Sequence, residues 1–259
     1  MPLTPEAAER VAHRLFLARI QEDPALVTVD APLDERDGYA VQNALCEHHA
    51  AAGATLAGYK AGLTSPAARA SYGTDRPAWG FLLASSIVAE ADAPALDPAR
   101  EPKVEAELAF LLARDLPDGE VTVEDVLAAT GRVLLAAELV ETRWAGPAGL
   151  GGLIADDVSN AAVVLGPEVP LSVATDGGLE AIVRSGGREA RGTAANVLGS
   201  PAHAVAWLAT ELSRNGRRLR AGQLIMSGSF GTPLPIDPAD DVVIDFGDLG
   251  RLHLKGRNA

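Results

Sequence analysis

The sequence predicts an α+β protein. Helix signals crowd the first fifth of the chain, strand-like runs dominate from Leu56 onward, and nowhere does a regular strand–helix–strand alternation set in. Residues 1–55 read as a helical N-terminal region and 56–259 as a strand-rich unit, with no linker, repeat or charge run between them. At 259 residues, with 47% hydrophobic and 22% charged residues, the chain can bury a sizeable core and has a globular composition.

The elements follow in order. Thr4-Pro5-Glu6 starts a helix, with Thr as N-cap and Pro in the first turn; Val11, Leu15 and Phe16 supply its apolar stripe, and Pro24 closes the region. Leu33–Ala52 is a second helical stretch with Gly53 as its C-cap. Leu56–Leu63 is a strand carrying Gly58, Lys60 and Gly62, and glycine inside a strand marks close approach of another backbone or a ligand. A short helix from Ser65-Pro66 to near Gly73 precedes one apolar strand-like run, Trp79–Val88. Beyond Asp118-Gly119, Thr122 caps a helix over Val123–Thr130, and Val133–Val140 is a strand. Gly146–Gly152 is rich in glycine but has neither the order of a dinucleotide site nor the Gly-Lys-Ser/Thr ending of a phosphate loop, so it reads as a mobile loop. Ala161–Leu165, a hairpin about Ser185-Gly186-Gly187, a helix from Ser200-Pro201 to Gly216, and strands at Gln223–Met226, Val242–Phe246 and Arg251–Leu254 complete the chain.

The stretch that carries chemistry is Pro102–Leu112. Strand side chains alternate between faces, so Glu105 and Glu107 share one face while Val104, Ala106, Leu108 and Phe110 share the other. The Glu face continues through Ala109 and Leu111, which points it inward. Two adjacent carboxylates entering a core repel each other and lose hydration, and a hard divalent cation relieves both problems. The spacing alone is equally that of an amphipathic strand with its glutamates in water. Glu138, flanked by Leu134, Leu135, Leu139 and Val140, is a further candidate for a buried carboxylate.

Charge and cysteine content narrow the partners. A net charge of −13 argues against nucleic acid, and the single cysteine, Cys46, excludes an internal disulfide or a cysteine-rich zinc site. No apolar stretch is long enough to span a membrane and no secretory leader is evident, so a cytoplasmic protein is expected.

Several stretches together, in this order, resemble one family. They are Gly58-Tyr59-Lys60-Ala61-Gly62-Leu63-Thr64-Ser65, Val104-Glu105-Ala106-Glu107-Leu108-Ala109, Ala137-Glu138-Leu139-Val140-Glu141-Thr142-Arg143, Ala155-Asp156-Asp157-Val158-Ser159-Asn160, and Val197-Leu198-Gly199-Ser200-Pro201 with Trp207-Leu208-Ala209. The set is similar to the 2-keto-4-pentenoate hydratase and 4-oxalocrotonate decarboxylase family, within the fumarylacetoacetate hydrolase superfamily. The resemblance implies a mixed β-roll behind the helical part, and Mg²⁺ or Mn²⁺ held by Glu105, Glu107 and Glu138. It implies a catalytic Lys60, which burial is expected to make less basic, and it places Arg143, Ser159, Thr64 and Ala78 around the substrate. Lys60 otherwise reads as a surface lysine at a strand edge, and Arg143 as a salt-bridge partner of Glu141.

The resemblance further implies a small-molecule 2-oxo acid as substrate and a homo-oligomer, with a complex with a related pathway enzyme as a further possibility. Within Asp75-Arg76-Pro77-Ala78-Trp79-Gly80 the family's hydratases carry an aspartate where this chain has Ala78, and its decarboxylases an apolar residue. The expectation is therefore a metal-dependent lyase that decarboxylates a 4-oxalocrotonate-like 2-oxo diacid. The alternatives are a hydratase of a 2-hydroxy-2,4-dienoate, another reaction of the superfamily, and a non-catalytic partner subunit. Asp157 stands where relatives have asparagine, and its charge is expected near the metal.

Overall fold

The computed structural model describes residues 2–257 apart from 24 and 30; Pro24, expected to close the first helical region, lies outside the described residues. Helix α1 spans Pro5–Arg19, with the Thr4 hydroxyl accepting from the Ala7 N–H, and α2 spans Glu35–Ala51 under an Asp34 cap. Strand β1 (Leu56–Gly62), helix α3 (Pro66–Ser71) and strand β2 (Ala78–Leu83) follow. The run expected as one strand over Trp79–Val88 is broken by a 3₁₀ turn at Ala84–Ser86, after which β3 (Ile87–Ala89) leaves in another direction to pair with a different strand.

Strand β4 (Lys103–Leu112), helix α4 (Val123–Ala129, opened by a Thr122/Asp125 capping box) and strand β5 (Thr130–Val140) come next. The glycine-rich segment expected as a mobile loop is instead helical: α5 spans Gly149–Ala155. Its backbone is held by close packing on α2, where a Cβ on Gly38 would come within 2.4 Å of the Gly151 carbonyl oxygen. The chain continues through β6 (Asn160–Val169), the hairpin β7 (Glu180–Ser185) and β8 (Arg188–Thr193), α6 (Pro201–Arg214), β9 (Leu224–Met226), β10 (Leu234–Pro235), β11 (Val242–Asp245) and β12 (Arg251–Leu254).

Among the described residues, one mixed sheet runs β2-β1-β9-β4-β5-β6-β3, with β10 paired to β4, and a four-stranded sheet runs β12-β11-β7-β8. The pairs β1–β9 and β3–β6 are parallel and the rest antiparallel. The α+β class and the mixed sheet are thus as expected.

The central strand β4 separates two environments. Val104, Ala106, Leu108 and Phe110 face the main core, together with Val205, Leu208 and Leu212 of α6. On the opposite face Ala109 joins Leu134, Ala136, Val163, Leu224, Met226 and Leu82 in a smaller apolar floor. The glutamates sit on that second face.

Candidate active site

The register of two strands builds the centre. On β4, Lys103, Glu105 and Glu107 alternate onto one face. Glu138 on β5 is the register partner of Glu105, and Glu107 pairs with Ala136 one step along. Residues opposite one another in an antiparallel pair present side chains to the same face, so the three carboxylates converge. Each offers one oxygen to a common space in which the three atoms lie within 4.8 Å of one another. Glu107 and Glu138 are fully buried and Glu105 is half-buried.

Lys60 reaches the same face from β1. It pairs with Met226 on β9, which pairs with Ala109 on β4, so the register carries its side chain onto the glutamate face. It is 2% exposed, and its Nζ donates to Glu138 Oε1 and, at 2.9 Å, to the Val158 carbonyl. The edge-lysine alternative is thereby excluded. Two further donors hold the carboxylates: Asn160 Nδ2 to Glu138 Oε1 at 2.8 Å, and the Gly228 N–H to Glu107 Oε2 at 2.8 Å.

Glu107 Oε1 and Glu138 Oε2 are buried with no partner among the described residues. Burial, reinforced by Glu138, pushes the Glu105 carboxyl up to about 7. Burial, then Glu138 and Glu105, lifts Glu107 well above the carboxylate range. Burial alone depresses a lysine, but here Glu138, Glu105 and Glu107 outweigh it and hold the Lys60 pKa above its ordinary value. This corrects the expectation of a less basic lysine: an ammonium beside three acids is stabilised more than it is desolvated. Orphaned buried carboxylate oxygens, mutual repulsion and an all-oxygen donor set fit a hard divalent cation.

A left-handed turn supplies the far side. Asp157, Val158 and Ser159 have φ of 55°, 50° and 60°. Such backbone costs L residues roughly 1–2 kcal/mol each, so the surroundings must impose it. Room for the turn comes from glycine: a Cβ on Gly62 would lie 2.5 Å from Val158 Cγ1, and one on Gly80 would lie 2.7 Å from Asp157 Oδ1. Asp157 does not join the glutamates. Its Oδ1 accepts from the Phe81 N–H at 2.7 Å and its Oδ2 lies 3.5 Å from the Arg19 guanidinium, while burial raises its pKa to about 7. The expected added charge at the metal site is therefore turned toward Arg19.

The remaining expected site residues are placed as follows. Ala78 is buried in an apolar patch with Ile154 and Val158, against which Tyr39, Leu63, Leu150 and Leu153 pack. Thr64 is buried against Gly228, where a Cβ would come within 2.7 Å of its Oγ1, so it backs the amide that holds Glu107. Arg143 is buried, and its Nη1 donates to Asp156 Oδ1 at 3.1 Å and to the Glu141 carbonyl at 3.2 Å, with Nη2 3.7 Å from Glu141 Oε2. The ion-pair reading of Arg143 is what the geometry contains, with Asp156 as the nearer partner.

Ser159 lines an open cleft of about 520 Å³ with Tyr72, Lys103, Thr142, Trp144 and Leu153. The triad is not in that lining; it lies one step inward along β4 from Lys103. Lys103 has no hydrogen-bond or salt-bridge partner among the described residues. Lys103, Asn160, Gly228 and Arg19 escaped the sequence reading. Lys103 was findable, two residues before Glu105 on its face; nothing local marks Gly228 or Arg19.

A mixed sheet that buries three convergent carboxylates and a lysine beside an open cleft defines an enzyme of the fumarylacetoacetate hydrolase type. The profile of the family described as fumarylacetoacetate (FAA) hydrolase C-terminal matches residues 40–255. The chain is 36% identical over 256 residues to the 2-oxo-hept-4-ene-1,7-dioate hydratase of Escherichia coli, covering 95% of this chain and 96% of that one. It is 34% identical over 263 residues to a 2-keto-4-pentenoate hydratase of Paraburkholderia xenovorans, covering 98% and 93%. In structure it resembles the 4-oxalocrotonate decarboxylase from Pseudomonas putida G7, complexed with magnesium and adipate, with a TM-score of 0.86 at 28% identity over 98% of both chains. The chain belongs to the fumarylacetoacetate hydrolase family, and the expected β-roll is its fold. Among the described residues no helix is long and apolar enough to cross a membrane.

Proposed function

We propose that the protein is a metal-dependent lyase acting on an unsaturated 2-oxo acid, and that its principal reaction is decarboxylation of a 4-oxalocrotonate-like 2-oxo diacid. The carboxylate triad with its two orphaned oxygens carries the first part of this reading, and Ala78 in its apolar patch carries the second. Glu105, Glu107 and Glu138 would hold Mg²⁺ or Mn²⁺. Bound there, the cation supplies Lewis-acid stabilisation of the negative charge that develops on the substrate's C2 oxygen.

The chain's own residues do the rest. Loss of CO₂ leaves an electron pair conjugated with the C2 carbonyl, and the product takes up one proton. Lys60, buried and protonated between Glu138 and the Val158 carbonyl, is the acid placed to hold or deliver that proton. Leu63, Ala78, Val158 and Leu153 would offer an apolar wall that limits water beside the dienolate. Addition of water would need a group that orients it and manages its proton, and a methyl side chain does neither. Lys103, in the cleft lining and without a hydrogen-bond or salt-bridge partner among the described residues, would bind the far carboxylate of a diacid. The relatives' names agree with a dicarboxylate: one is a 1,7-dioate hydratase and another is complexed with adipate.

Hydration of a 2-hydroxy-2,4-dienoate is the second reading, favoured by the hydratase names of the sequence relatives. Incubation of the Mg²⁺-loaded protein with 2-oxohex-3-enedioate and with 2-hydroxypenta-2,4-dienoate, followed by product identification, separates the two. Faster CO₂ release than hydration is expected, and Ala78→Asp is expected to move the ratio toward hydration. Efficient hydration with no CO₂ from any diacid replaces the first reading by the second. Cation binding without turnover of any 2-oxo acid would point to a non-catalytic subunit.

A further inference from the structure

We infer that Arg19, the last residue of α1, is a positioning residue for Lys60 and acts through the left-handed turn Asp157–Ser159. The inference rests on the reading of Lys60 as the proton-carrying group. One short turn serves the site in three ways: the Val158 carbonyl accepts from Lys60 Nζ at 2.9 Å, Ser159 lines the cleft, and the next residue, Asn160, donates to Glu138. Three successive non-glycine residues with positive φ, one of them β-branched, hold that conformation only if something clamps them.

On the sheet side the clamp is the Phe81 N–H on Asp157 Oδ1, over the space left by Gly62 and Gly80. On the other side it is Arg19. Its Nη1 reaches the Asp156 carbonyl and Oδ1 at 3.4 Å, and its Nη2 reaches Asp157 Oδ2 at 3.5 Å. The Arg19 side chain is 8% exposed, so little water competes for these contacts. Asp156 has a second cation in Arg143. Asp157 has no second guanidinium within salt-bridge range among the described residues. Without Arg19, Asp157 Oδ2 is left buried with no guanidinium in range among the described residues, and the turn that carries the Val158 carbonyl loses its clamp on that side, so Lys60 loses the acceptor that holds it in line. Helix α1 thus belongs to the catalytic apparatus, although none of its side chains faces the cleft.

The test compares Arg19→Gln, Arg19→Lys and the double variant Arg19→Gln/Asp157→Asn in the Mg²⁺-loaded full chain, using whichever of the two acids named above is turned over. Arg19→Gln should lower kcat on the order of 10–100-fold with KM little changed, because misplacing a reacting group by about 1 Å costs that much. The double variant should recover most of the loss, since an amide at 157 can still accept from the Phe81 N–H and leaves no buried acid without a partner, and Arg19→Lys should fall between wild type and Arg19→Gln. Thermal unfolding is followed in parallel. Acetylation of Lys60 by a water-soluble ester, read by peptide mass spectrometry, gives a readout independent of turnover: faster in Arg19→Gln, restored in the double variant. Should Arg19→Gln not fold, Arg19→Lys and the double variant carry the comparison. Should no acid be turned over, the functional reading fails and the acetylation pattern alone decides this one. A lower Tm with wild-type kcat and wild-type Lys60 labelling makes Arg19 a structural tie and overturns the inference, as does a double variant no better than Arg19→Gln.

Discussion

Around Asp156 and Asp157, two guanidiniums serve two aspartates, with Glu141 on the outer side of Arg143; around Glu138, one ammonium faces three carboxylates. The first gathers on turns and a helix end and the second within strands β1, β4 and β5, and they are balanced differently. In the first, every aspartate oxygen has a partner: Arg19 and Arg143 for Asp156 Oδ1, the Arg143 N–H for Asp156 Oδ2, the Phe81 N–H and Arg19 for Asp157. In the second, Glu107 Oε1 and Glu138 Oε2 have none among the described residues, whereas the orphan of the first is a donor, Arg143 Nε. A buried ion cluster that is satisfied holds elements in place, whereas one left short of positive charge stores a demand for it. The difference separates a structural clamp from a binding centre even though both use the same side-chain chemistry.

Neutralising one acid in each cluster should therefore have opposite outcomes. Glu138→Gln should abolish turnover and weaken Mg²⁺ binding, read by titration calorimetry, by more than the roughly 10–100-fold that loss of an outer-shell partner costs. Asp156→Asn should leave Mg²⁺ affinity near wild type and instead lower stability by about 3–5 kcal/mol in urea unfolding, because two buried guanidiniums lose a shared partner. If the two variants lose cation affinity equally, the distinction between the clusters fails.

A second test is pH. Glu105 and Glu107 have folded-state pKa values raised above their unfolded ones, so the folded chain holds protons that the unfolded chain has released. Stability from these groups is full below the ordinary carboxylate range and is lost as pH rises, for Glu105 through about 7 and for Glu107 in the same direction. In chelator, the Tm should accordingly fall between about pH 5 and 8. Saturating Mg²⁺ should flatten most of that slope, leaving the part due to Asp157, whose pKa is raised in the same direction. A slope identical with and without Mg²⁺ would show that the glutamates are not where the cation binds.

The unequal clusters were unequally legible. The two-residue spacing of Glu105 and Glu107, and the apolar flanks of Glu138, exposed the charge-poor centre, because strand periodicity converts spacing directly into facing. That Glu138 stands opposite Glu105 is a matter of register, which no local pattern reveals. The balanced cluster depends on the left-handed turn at Asp157–Ser159, and three non-glycine residues there give no turn signal. Lys60 was found, but the direction of its pKa shift depends on how many acids surround it in space. Helix α5 was misjudged because its glycines have poor helix propensity, and only packing on α2 overrides it.

The smallest effect expected is at the rim. Lys103→Met should raise KM for a diacid by about tenfold, or ~1.4 kcal/mol, and leave that for a monocarboxylic 2-oxo acid nearly unchanged, since only the far carboxylate would lose its partner. Equal changes for both acids in steady-state assays would instead make Lys103 a part of the charge balance of the triad.

Helix α5 carries a consequence for the cleft it borders. Three of its seven residues are glycine, each less favourable than alanine by about 0.8–1.0 kcal/mol, and a helix this short does not stand alone in water. It is ordered by direct apposition of two main chains: a Cβ on Gly151 would meet the Leu33 and Asp34 carbonyl oxygens at 2.3 Å. No side chain intervenes at that point, so no side-chain exchange there can narrow the gap between α5 and α2. A single added methyl group can only prise them apart. The position of Leu153 on the cleft wall is thus gauged by the thickness of a bare polypeptide backbone.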